Sequence, residues 1–73
     1  MLRKRSVTIA GHRTSISLED EFWCELVNIS KQNGTSLNTM ITSIDKDRET
    51  NLSSAIRLFV LAKLKAAASG SEI

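Results

Sequence analysis

The side chains best placed to do chemistry at a surface lie near the front of the chain, in HRTSISL, residues His12 to Leu18. Polar and apolar residues alternate here, so Arg13, Ser15 and Ser17 share one face of an extended segment and Thr14, Ile16 and Leu18 the other. Three alternate residues on a strand face span roughly 13 Å, at about 3.3–3.4 Å per residue. Arg forks onto the O6 and N7 of guanine, and a Ser hydroxyl donates to or accepts from several bases. An antiparallel ribbon made of two such strands is narrow enough for the major groove of DNA. The polar row is therefore read as a base-contacting face.

Other chemistries find little support. The chain has one His and one Cys, which excludes an intrachain disulfide and a CxxC zinc pair. His12 is expected at the ribbon's edge, meeting a phosphate when protonated. Cys24, beside Trp23, is expected to be a semi-buried small side chain. Glu19, Asp20 and Glu21 cluster because acids suit a helix start. No Ser, His and Asp set can be assembled, and Gly11, Gly34 and Gly70 are too scattered for a phosphate loop. An enzyme is not expected, nor is any cofactor or metal.

The elements that hold the polar row are legible from periodicity. At 73 residues the chain is one small domain. Such a domain buries only about 60% of its unfolded surface, so a second copy is the expected source of further stability. Residues 1–6 are expected to be a flexible basic arm, in which Arg3, Lys4 and Arg5 reach flanking phosphates in a salt-dependent way. The first acid is Glu19, so the +2 net charge is concentrated as positive charge at the front, as for a polyanion partner. Residues 7–73 form the domain, with a strand at about 12–18 and helices at about 19–32, 37–48 and 52–66.

A lone strand needs a partner for its backbone groups. Val7–Ala10 can fold back around Gly11 as a hairpin, or the strand can pair with its copy in a second chain. The upstream stretch is short, and pairing between chains is the favoured expectation. Phe22, Trp23, Leu26, Val27 and Ile29 make the apolar stripe of the first helix, which Gly34 ends in the left-handed conformation. Ser36 caps the second helix, with Leu37, Met40, Ile41 and Ile44 on its apolar face. Asn51 caps the third, where Leu52, Ile56, Phe59, Val60 and Leu64 face inward and the tail 66–73 frays. Leu58 and Leu61 make this helix apolar almost all round, which marks it as buried or as awaiting a partner. Thr14, Ile16, Leu18, Phe22, Trp23, Leu26, Ile41 and Ile44 are the expected dimer core. No apolar run approaches 18 residues, and SVTIAGHRTS is too polar to follow Arg5 as a secretion signal. The cytoplasm is the expected location, and no membrane partner is expected.

The stretch RTSISLEDEFWCELVNISKQNGTSLNTMI resembles the ribbon-helix-helix DNA-binding domain. The likeness rests on Arg13, Ser15 and Ser17 in the strand and on Asn33-Gly34-Thr35-Ser36-Leu37-Asn38 at the turn between helices. It implies a mostly α, intertwined homodimer whose strands pair antiparallel between chains and enter the major groove of double-stranded DNA. It also implies a phosphate grip at the start of the second helix, through Ser36 and the following Leu37 and Asn38. The match covers residues 12–44; SVTIAG precedes it and a further helix, NLSSAIRLFVLAKL, follows, as in a divergent bacterial branch. A sequence-specific transcriptional regulator is the implied function. The second reading is a protein-interaction module of antitoxin type, engaging a partner protein through residues 52–66.

Overall fold

The computed structural model describes residues 1–70. Ala10 and Gly11 lie at φ 50° and 83°, the positive values that a two-residue hairpin turn requires to match strand twist. They join β1 (Leu2–Ile9) to β2 (His12–Glu19), followed by α1 (Asp20–Gln32), α2 (Leu37–Asp47) and α3 (Leu52–Gly70). The strands are antiparallel, in a register running from Ile9 opposite His12 to Leu2 opposite Glu19.

Two expectations are corrected here. The strand at 12–18 finds a partner in its own chain rather than only in a second copy, and residues 2–6 are strand rather than flexible arm. Both follow from one fact: the basic run lengthens Val7–Ile9 into an eight-residue strand. Arg5 can occupy the inner face because its stem lies against protein while its guanidinium reaches Asp20 and the Trp23 ring.

Val7, Ile16 and Leu18 from the inner face of the hairpin enter one core with Leu26, Ile29, Met40, Ile41, Ile44, Ile56 and Val60. Phe22, Trp23 and Phe59 are half-buried against it. Thr14, expected in the core, is exposed: α2 packs against β1, covering Val7 opposite it, and Thr14 lies on the strand away from that helix. Cys24 is exposed, on the side of α1 away from Leu26 and Ile29.

The helix ends follow local chemistry. The N–H of Thr35 donates to Ser30 O at 3.0 Å and that of Gly34 to Lys31 O at 3.2 Å. These are the two bonds of a Schellman ending, with Gly34 at φ 65°. Ser36 Oγ accepts from the Thr39 N–H at 3.1 Å, and Asn51 Oδ1 from the Ser54 N–H at 2.9 Å, as the two caps require. Helix α3 continues to Gly70, past the expected end near residue 66; residues 71–73 of the expected fraying tail lie outside the described residues. No helix among the described residues is long and apolar enough to cross a membrane.

Candidate nucleic-acid interface

Closing the hairpin with two residues dictates which backbone groups remain free. The pair beside such a turn is hydrogen-bonded, and bonding then recurs at every second residue. Ile9, Val7, Arg5 and Arg3 therefore bond across to His12, Thr14, Ile16 and Leu18. The backbone groups of Thr8, Ser6 and Lys4 point away on one edge, and those of Arg13, Ser15 and Ser17 on the other. The β1 edge is met at Thr8, whose N–H donates to Asn38 Oδ1 at 3.4 Å. The β2 edge meets no backbone or side-chain partner among the described residues.

The same register sorts the side chains. Lys4 lies opposite Ser17, Ser6 opposite Ser15 and Thr8 opposite Arg13, and cross-strand partners share a face. The outer face thus carries Arg13, Ser15 and Ser17 as expected, all exposed, with Lys4, Ser6 and Thr8 beside them. Ser6 and Thr8 were not legible as part of this face, because only pairing with β2 places them there. Glu19 lies at the far end of β2, but its carboxylate is held by Arg57 at 2.8 and 3.2 Å. That two-pronged hydrogen bond holds the Glu19 carboxyl below its ordinary range. The cations Lys4 and Arg13 therefore face no free carboxylate on the ribbon.

The expected phosphate contacts divide. Lys4 is on the outer face and exposed. Arg3 and Arg5 are on the inner face: Arg3 Nε lies 3.9 Å and Arg5 Nη2 2.9 Å from Asp20 Oδ1, and the Arg5 guanidinium carbon stands 4.6 Å from the Trp23 ring centre. His12 is exposed at the turn, opposite Ile9 and so on the inner side of the register. Ser36 is engaged within α2, accepting from the Thr39 N–H and donating to Thr39 Oγ1 at 2.7 Å. The N–H groups of Leu37 and Asn38 follow it in the first turn, where no intrahelical acceptor exists. Asn38 ties this helix start to the edge of β1 and keeps its Nδ2 free to donate. Among the described residues, no group of three or more His, Cys, Asp and Glu is arranged to hold a metal ion.

A family model described as a ribbon-helix-helix domain matches residues 2–64. The match takes in both β1 and most of α3, the two segments flanking the 12–44 stretch. No curated protein and no solved structure gives a match.

Proposed function

Because the chain belongs to the ribbon-helix-helix family, whose members are generally DNA-binding transcription regulators, we propose that it binds DNA sequence-specifically as a homodimer joined through β2. The observation that carries this reading is the open edge of β2 beside an exposed polar row. Two copies pairing along Arg13–Ser17 complete each other's backbone hydrogen bonds and form a four-stranded sheet in the order β1-β2-β2-β1. The outer strands of such a sheet are about 14 Å apart, at roughly 4.8 Å per spacing. A major groove about 12 Å wide admits the central pair, so Arg13, Ser15 and Ser17 reach base edges and β1 lies at the groove's lips.

Lys4 then faces the phosphate ridge, and the α2 start, held beside β1 by Asn38, brings the Leu37 and Asn38 amides to the same ridge. A helix start suits an anion because its N–H groups are unpaired. Such contacts set position, while Arg13 supplies most of the sequence preference. Arg5 is spent on Asp20 and Trp23 and takes no part. The regulator acts by occupying its site, in the cytoplasm of a bacterial cell, without chemistry on the DNA.

Fluorescence anisotropy against genomic fragments tests this. Saturable binding is expected, weakened on every fragment by rising salt. Arg13→Ala should cost the preferred fragment roughly 5- to 150-fold, the equivalent of about 1–3 kcal/mol, and flatten the preference. Lys4→Ala should weaken all fragments alike and reduce the salt slope. Persistent preference in Arg13→Ala would remove that residue from base reading.

A further inference from the structure

The open edge of β2 also fixes how far apart two copies hold their reading side chains. Its outward backbone groups belong to Arg13, Ser15 and Ser17, and Glu19, as the N-cap of α1, is where the chain leaves the sheet. A two-fold axis at Ser15 pairs that residue with its copy and Arg13 with Ser17 of the other strand, so every outward group is bonded. An axis at Thr14 would set Ser17 opposite the turn residue Gly11. An axis at Ile16 would set Arg13 opposite Glu19 and carry the pairing into the start of α1, while an axis at Arg13 would put like charges face to face. Arg13 is itself uncommitted: it is exposed, lies opposite Thr8 of its own β1 and makes no ion pair among the described residues.

We infer, on the basis of the β2 dimer proposed above, that the chain selects a two-fold symmetric DNA site with one guanine on each strand, about three to four base pairs apart, and tolerates change between them. With the axis at Ser15, each Arg13 stands two residues from it, so the pair is separated by four residues along the ribbon. At roughly 3.3–3.4 Å per residue that is about 13 Å. Base pairs rise by about 3.4 Å each, so the distance covers about four pairs along the helix axis and nearer three along the inclined groove. Each guanidinium forks onto the O6 and N7 of one guanine, and the two-fold places the second guanine on the complementary strand. Between them, Ser15 at the axis and Ser17 beside it present hydroxyls that several bases satisfy.

Selection by the full chain from a random duplex pool, followed by titrations at fixed salt, tests this. Enriched sites should carry the guanine pair at that interval. Replacing either guanine, or lengthening the interval by two base pairs, should weaken binding roughly 5- to 150-fold, and exchanging the bases between them should cost far less. Moving the arginine tests the axis: Arg13→Ser with Ser17→Arg changes only the exposed outer face, and circular dichroism should match the wild type. Residues 13 and 17 are equidistant from an axis at Ser15, so the double variant should enrich guanines at the same interval. Any other axis would change the arginine separation by at least about 13 Å. An interval that shifts in the double variant overturns the inference, as does an enriched wild-type site without the guanine pair; either result leaves sequence-specific binding standing. A wild type that enriches no sequence overturns this inference and the proposed function together.

Discussion

Arg5 stands in a run of cations, yet its surroundings give it a different task from Lys4 next door. Its guanidinium donates to Asp20 at 2.9 Å and covers the Trp23 ring, while its Nε is buried without a partner. A cation over an aromatic face contributes about 0.5–1 kcal/mol at an accessible site. Arg5→Ala should therefore lower the melting temperature by several degrees, at about 4–8 °C per kcal/mol for a domain this size, and leave the salt slope of DNA binding unchanged. Lys4→Ala should do the reverse. Thermal melts and salt titrations of the same two proteins check both halves. Ala10 offers a gain instead of a loss. Its φ of 50° puts a Cβ where it crowds the following carbonyl, at a cost of about 1–2 kcal/mol. Ala10→Asn creates the Asn-Gly pair that such turns favour and should raise the melting temperature measurably.

At the scale of elements, the turn at Gly34 decides how α2 meets the hairpin. Nothing lies within 4 Å of a Cβ built there, so Gly34→Ala costs backbone strain alone, about 1–2 kcal/mol. A chemical melt should show that loss with an unchanged m-value. The three helices were legible because each announces itself locally in an apolar stripe, to which α1 adds an acidic first turn and α2 and α3 add a capping side chain, Ser36 and Asn51. Their starts agree within a residue. The polar face of β2 was legible for the same reason, being a strict alternation. Strand β1 was not, because LRKRSVTI reads as a basic tail until Arg3 and Arg5 are given Asp20 and Trp23 to lie against. The signal available was the Ala10-Gly11 pair, weak because Ala rarely accepts positive φ. The Glu19–Arg57 pair had no local signature at all, since its members are 38 residues apart. The exposed Cys24 was misjudged because a helix turns by about 100° per residue, so the half-buried Trp23 does not carry its neighbour inward.

Across the whole molecule, the Glu19–Arg57 bond ties the junction of hairpin and α1 to the last helix. The carboxyl's affinity for protons is lower in the folded chain than in the unfolded one, chiefly because Arg57 donates to it. The stabilisation is therefore complete above the unfolded carboxyl's value, about 4.3, and is lost as pH falls through the lower folded value. Glu19→Gln should melt below the wild type at neutral pH, and the gap should close in increasingly acid buffer. Trp23 is the only tryptophan of the chain, and the guanidinium of Arg5 rests on its ring. The protein thus contains its own optical gauge of whether the hairpin is seated. Any event that lifts the first strand off the helix beneath it uncovers the indole, and unlabelled material will register the change as a shift in emission.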